Sequence, residues 1–221
     1  MKAKAYILEC LTNLHVGNGE VNFNVIDNEI ERDAVTNFPT INSSGVKGAL
    51  REFFEHKKID KDVIDTIFGS SDRETSQGQL KFLSANLLAQ PLPETAGDKP
   101  YKLAVPQEAA TQFQVLTETF LCTSSLFKDI EKNYNLQIVS NDEYEAHDLP
   151  VLARNCLNNG KSENLWYEEV VPHKTIFYLI VVSQYDNLEL LNQFDQVVAN
   201  QVVQFGANAS IGYGLCKMTG L

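Results

Sequence analysis

The sequence predicts a single α+β domain in which an antiparallel sheet carries helices on one face. Three observations point there. A chain of 221 residues is long enough for one packed domain with a sizeable insertion and short for two. Short β-favouring runs recur from one end to the other, and two stretches with apolar residues at helical spacing stand between them. Without its middle, about residues 60–135, the order is strand, helix, strands, helix, strand. That order is compatible with a ferredoxin-like, RRM-like arrangement, with two helices on one face of the sheet and the other face open. An open sheet of this kind is a common RNA platform.

Each element has its own signal. Lys2 to Thr12 is a compact run holding Ala, Tyr, Ile, Leu and Cys, broken by the two glycines of His15-Val-Gly-Asn-Gly-Glu20, which predicts a strand and a loop. Val46, Leu50, Phe53 and Phe54 predict a helix over about 44–57, with Ser43 or Ser44 placed to cap its first turn. Asp60 to Phe68 reads as a second short helix, Ser70 to Gly78 as a loop and Gln79 to Ala89 as one strand. Tyr101 to Val105 is a strand, and Pro106 stands where helices begin, ahead of Gln107 to Phe120. Leu149 to Cys156 and Leu165 to Val171 flank the turn-forming Asn158-Asn159-Gly160-Lys161, predicting a hairpin over about 149–171. Thr175 to Val182 is β-branched and aromatic, Leu188 to Val198 is helical in spacing, and Ile211 to Met218 is a last strand.

Composition narrows the class. No apolar run approaches the roughly 20 residues that span a bilayer, and the first residues carry no apolar core with a small-residue cleavage site, so a cytoplasmic protein is expected. Cys10, Cys122, Cys156 and Cys216 are scattered without a CxxC pair, which predicts buried free thiols. The net charge of −11 counts against a nucleic-acid binder. Its distribution answers part of that objection: Asp129, Glu131, Asp142, Glu143, Glu145 and Asp148 crowd one stretch, whereas Val197 to Leu221 holds no acid and one base, Lys217. An acidic back and a neutral or basic working face fit this distribution.

Several segments carry candidate chemistry. A helix beginning at Ser43 and Ser44 exposes unpaired N–H groups and a partial positive charge, and Lys47 and Arg51, four apart, share one face. Such a surface suits a phosphate, although a capped helix with solvated bases would look the same. Gly206, Gly212 and Gly214 permit either a close approach of an RNA backbone or a plain bend. Asp27, Glu29, Glu31 and Asp33 alternate, so an extended chain would project them from one face, either as a hard-cation site or as a solvated edge.

Three segments together resemble the RAMP superfamily of CRISPR proteins, specifically the backbone subunit of the type III-B, Cmr-type, effector complex. They are Leu11 to Gly19 continuing through Val25 to Asp33, Phe38-Pro39 and Ser43 to Arg51; Leu165-Trp-Tyr-Glu-Glu-Val-Val-Pro172; and Phe205-Gly-Ala-Asn-Ala-Ser-Ile-Gly-Tyr-Gly214. Their order and spacing cover nearly the whole chain. The resemblance implies an endoribonuclease that binds CRISPR guide RNA and cuts complementary single-stranded target RNA at regular intervals. It also implies further copies of the same chain arranged head to tail, other effector subunits as neighbours, and a divalent ion, Mg2+ or Mn2+. It makes the 149–171 hairpin a projecting thumb, with Arg154 a phosphate contact, and Ser43, Ser44, Lys47, Arg51, Gly206, Gly212 and Gly214 guide-RNA contacts. It places the essential aspartate at Asp27, as base or metal ligand, with His15, Glu168 and Glu169 in support. Val170 stands where relatives tend to carry a tyrosine. A noncatalytic scaffold subunit, the Csm-type equivalent and a precursor-RNA processing endonuclease are the competing readings.

Overall fold

The computed structural model describes residues 1–19, 25–70, 76–95, 97–159 and 161–221, with the backbone alone for Leu157. Its elements are β1 (Lys2–Cys10), β2 (Thr40–Ile41), α1 (Ser43–His56), α2 (Lys61–Phe68), β3 (Leu80–Phe82), β4 (Ala85–Pro93), β5 (Tyr101–Pro106), α3 (Gln107–Leu121), α4 (Leu126–Tyr134), β6 (Leu136–Val139), α5 (Asn141–Glu145), β7 (Val151–Asn158), β8 (Lys161–Glu169), β9 (Ile176–Ser183), α6 (Leu188–Val198), β10 (Gln201–Gln204) and β11 (Leu215–Gly220). A mixed, mostly antiparallel sheet runs β10-β11-β1-β9-β4-β5-β6, with β2 on β4 and β3 on β9; β5 and β6 run parallel. β7 and β8 pair only with each other as a separate hairpin, whose outer residues, Asn158 and Lys161 to Leu165, are exposed.

The sheet is not open. On one face α1, α2 and α6 bring Val46, Leu50, Phe54, Ile67, Phe68, Leu191 and Phe194 onto Tyr6, Leu8, Phe177 and Leu179. Phe54, Phe68, Phe82 and Phe194 meet ring to ring there, with centroids 5.2–5.6 Å apart. On the other face α3 and α4 cover Ile7, Leu88, Ile176 and Tyr178 with Phe113, Phe127 and Ile130. The expected one-sided arrangement is thus corrected: of the middle stretch, α3 and α4 form a second layer, whereas α2 joins the first and β4 is part of the sheet. The cause is legible in β9, where Ile176-Phe-Tyr-Leu-Ile-Val-Val182 has no polar alternation. A strand with no polar face must be buried on both sides, and all eight β9 residues are.

Other boundaries differ for local reasons. The strand expected over Gln79 to Ala89 is two, β3 and β4. Phe82 and Leu87 are five positions apart while their partners Val181 and Phe177 are four, so a bulge breaks the run. Neither serine caps α1: its N-cap is Asn42, and no side chain bonds the first turn. The last strand begins later than expected, at Leu215, because a short 3-10 turn over Ala209–Ile211 and left-handed Gly212 and Gly214 come first. α4, β6 and α5 are additions; Ser140 caps α5 by accepting from the Glu143 amide, a capping pattern visible in the sequence. Cys10 and Cys216 are buried opposite one another with sulfurs 3.7 Å apart, whereas Cys122 and Cys156 are exposed, against expectation.

The two-sided core makes a direct prediction. Phe113 is fully buried on the insertion side, 4.9 Å from the Tyr178 ring, so Phe113→Ala should cost ~3–5 kcal/mol. Thermal or denaturant unfolding measures this. An insertion that packed loosely would show a loss near zero.

Candidate active site

At one end of the sheet three chain segments are stitched into a single structure. The loop after β1 pairs with the base of the hairpin through Leu14 N to Val171 O (2.9 Å) and Val171 N to Leu14 O (2.8 Å). It meets the glycine-rich loop through Gly214 N to Asn13 O (2.8 Å) and Ala207 N to His15 O (2.9 Å). The acidic stretch lies extended between them. Glu31 N donates to Val16 O (2.7 Å) on one side, and Glu169 N donates to Asn28 O (2.9 Å) on the other.

Of the four residues expected to be catalytic, Asp27 alone is exposed; His15 (5%), Glu168 (4%) and Glu169 (6%) are buried. Asp27 Oδ2 accepts the Tyr167 amide (2.8 Å), and Tyr167 O accepts the amides of Asp27 (3.1 Å) and Asn28 (3.2 Å). The carboxylate is therefore fixed to the hairpin while Oδ1 has no protein hydrogen bond among the described residues.

Glu168 and Glu169 face opposite ways, as neighbours on a strand must. Glu168 accepts from Arg154 Nη1 (2.9 Å) and Asn208 Nδ2 (2.8 Å), and His15 Nε2 stands 3.9 Å away. Glu169 accepts from the Ile30 amide (3.1 Å) and pairs with the Arg32 guanidinium. His15 Nδ1, 2.7 Å from the Glu169 carbonyl, donates to it, which fixes the ring. All three side chains are engaged within the protein.

The other candidates divide. Ser43, Ser44 and Lys47 are exposed at the start of α1, whose first intrahelical bond is Val46 N to Asn42 O (2.9 Å); the preceding amides are presented to solvent. Lys47 has no ion pair among the described residues. Arg51 is spent inside the chain on Glu55 (3.0 Å), Asp65 (3.1 Å) and the Gly69 carbonyl, tying α1 to the end of α2. Arg154 is likewise engaged, by Glu168 and between the Trp166 and Tyr213 rings at 5.8 and 5.5 Å. Gly206 and Gly214 are left-handed, and a Cβ would collide with the carbonyls of His15 and Phe205 respectively; Gly212, also left-handed, has open space around it. The first two glycines answer to the chain's own packing.

The alternating acids do not converge on a cation. Asp33 Oδ1 caps a turn by accepting from Val35 N (3.0 Å), Thr36 N (2.9 Å) and Thr36 Oγ1 (3.1 Å). Burial works to raise its pKa, but these bonds outweigh it and hold the carboxyl below the ordinary value. Among the described residues no three His, Cys, Asp or Glu side chains gather as a metal cage. Sequence reasoning missed Arg32, Asn208 and the Tyr167 amide. All three lie inside the motif segments, but nothing in the local order singled out the Arg32 side chain for a role.

Fold and site define a class, and the chain belongs to the RAMP superfamily, whose model matches residues 7–217. Among curated relatives, the CRISPR system Cmr endoribonuclease Cmr4 of Pyrococcus furiosus is 24% identical over 283 aligned positions, covering 99% of this chain and 96% of that one. The CRISPR system CMR subunit Cmr4 of Saccharolobus solfataricus is 31% identical over 90 residues, 40% of this chain and 29% of that one. Among solved structures, the type III-B Cmr-beta complex in its apo state contains a chain that superimposes with a TM-score of 0.83 at 19% identity, covering 100% of this chain and 97% of that chain. Oligomeric Cmr4 of Pyrococcus furiosus gives 0.79 at 20% identity, with 100% and 98% covered. No helix among the described residues is long and apolar enough to cross a membrane.

The glycines can be ranked by stability. Gly212→Ala should cost about 1–2 kcal/mol for its left-handed backbone alone. Gly206→Ala and Gly214→Ala add a collision with backbone and should cost clearly more, as read by unfolding midpoints. Equal costs at all three would mean that the loop packs elsewhere.

Proposed function

We propose that this chain is the backbone subunit of a type III-B CRISPR effector, that it binds guide RNA, and that it cuts complementary target RNA with Asp27 as the catalytic carboxylate. The observation that carries the cut is the contrast at the site: one carboxylate is exposed and held by a backbone amide, beside two that are buried and engaged. A relative spanning nearly the same length is named an endoribonuclease, and a chain from a Cmr-beta complex bound to cognate target RNA superimposes with a TM-score of 0.82.

The core is ferredoxin-like. β11-β1-β9-β4 stand adjacent, with α1 between β1 and β4 and α6 between β9 and β11 in the chain, which is the split βαβ pattern. β7 and β8 serve as the thumb that meets the guide–target duplex. Guide phosphates lie at the uncapped start of α1, at Ser43, Ser44 and Lys47, with the glycine-rich loop beside them across a cleft lined by Ala49, Phe53, Gln204 and Ala209. Different surfaces front and back suit head-to-tail copies along the guide, with other effector subunits closing the ends. The protein works in the cytoplasm.

In the cut, a kink in the target brings a ribose 2′-oxygen into line with the adjacent phosphorus. Asp27 Oδ1 orients the 2′-hydroxyl and accepts its proton as the 2′-oxygen bonds phosphorus and the bond from phosphorus to the 5′-oxygen breaks, leaving a 2′,3′-cyclic phosphate and a 5′-hydroxyl that takes its proton from water. Tyr167 N–H holds the carboxylate at its other oxygen. Asp27 is also the residue that would hold Mg2+ or Mn2+, which supplies charge neutralisation at the phosphate; its remaining ligands would come from RNA and water, as Mg2+ sites often arrange.

Two outcomes test this reading. In a complex reconstituted with guide RNA, labelled target and Mg2+ or Mn2+, Asp27→Ala should load both RNAs and lose about 10²–10⁴ in cleavage rate at every regularly spaced site. Undiminished cutting would leave a noncatalytic scaffold. Lys47→Ala should weaken RNA binding for all sequences alike and reduce the salt slope by about 1. Arg51→Ala should instead lower stability and leave that slope unchanged.

A further inference from the structure

We infer that Arg32 is a positioning residue for the cut: by pairing with buried Glu169 it clamps the segment that bears Asp27 onto the base of the hairpin. The inference rests on the assignment of Asp27 proposed above. Within β8 the residue period is two, so Tyr167 and Glu169 act on the same neighbour. The Tyr167 amide holds the Asp27 carboxylate, and the Glu169 side chain holds Ile30 and Arg32 farther along. Both hydrogen-bond partners of that carboxylate belong to the Asp27 segment, which makes Glu169 a side-chain bridge rather than a free acid.

Its charge decides why Arg32 is needed. The Glu169 side chain is 8% exposed and that of Arg32 32%, so the carboxylate is nearly dry and depends on one cation. The pair lines a cavity of about 470 Å3 together with Glu29, Glu145, His147 and Asp148; among the described residues no second Arg or Lys lines it. Among the described residues no other Arg or Lys of the cavity lining can replace the guanidinium, and the acids Glu29, Glu145 and Asp148 would push the unpaired carboxylate away. Arg32 Nη1 also donates to the Asn37 carbonyl (3.3 Å), and its backbone bridges Pro39, so the same residue anchors the turn leading to α1. Without it, Ile30 N loses a charged acceptor and the segment loosens at the point where Asp27 must be held. A displacement of 1 Å at a catalytic group costs about 10² in rate.

The test uses the reconstituted complex with Arg32→Met, Arg32→Lys, the double variant Arg32→Met/Glu169→Gln, and Asp27→Ala in parallel. Single-turnover cleavage, target affinity, and hydrogen exchange at the Ile30 and Tyr167 amides are read for each. Arg32→Met should slow cleavage by about 10–100-fold, leave target affinity unchanged and speed exchange at both amides. Arg32→Lys should keep most of the rate. The double variant, which buries no unpaired charge, should recover at least about tenfold over Arg32→Met. Parental cutting by Arg32→Met while Asp27→Ala is inactive overturns the inference, as does a slow Arg32→Met that the double variant fails to rescue. If Arg32→Met does not assemble, the double variant must assemble and cut; its failure overturns the inference too. An Asp27→Ala complex that cuts normally removes the underlying assignment instead.

Discussion

Two adjacent carboxylates, Glu168 and Glu169, hold this end of the molecule together because neither can be left alone where it lies. A buried carboxylate without partners is expensive, and removing one member of a buried pair typically costs about 3–5 kcal/mol. Strand geometry turns the two in opposite directions. One gathers Arg154 from the hairpin, Asn208 from the glycine-rich loop and the edge of His15 from the loop after β1, while the other gathers Ile30 and Arg32 from the acidic stretch. Loops far apart in the chain are thus forced into one geometry by the need to satisfy charge. Exposed Asp27 inherits its position from that arrangement.

The scaffold beneath obeys a different demand. β9 is apolar on both faces, so the molecule needs a layer on each side, and the segment inserted after β5 supplies the second one. Helices α1 and α6 keep the first face. This division leaves little sheet surface for nucleic acid, and the candidate contacts gather instead at the rim: the first turn of α1, the glycine-rich loop and the hairpin.

The same division handles only part of the net charge of −11, since Glu145 and Asp148 line the cavity beside Arg32 and Glu169. α4, with Asp129 and Glu131, lies across the sheet from α1 and its Lys47. Several cations are committed within the chain: Arg32, Arg51 and Arg154 each pair with a carboxylate. The proposed affinity for RNA therefore relies on backbone amides and on Lys47 more than on a dense basic patch, which is the pattern expected where helix N-termini bind phosphates.

Residue order alone determined the helices with clean apolar periodicity, α1, α2 and α6, the two strands of the hairpin, and the motif segments that mark the family, because each of these depends on neighbours a few positions apart. Local signals for the second layer were also present, in the unbroken apolar run of β9 and the Ser140 cap, but their meaning required knowing what lay across the sheet. Only tertiary structure decided which charged side chains are exposed and which are tied to partners. Arg51 and Arg154 look in sequence like free cations, yet acids 14 residues away in each case claim them. Glu168 and Glu169 look like catalytic acids and are buried. Arg32, unmarked in an acidic run, becomes the partner of Glu169, 137 residues distant. The physical reason is that availability of a charge is set by burial and by partners brought near through folding, and neither is written in local sequence.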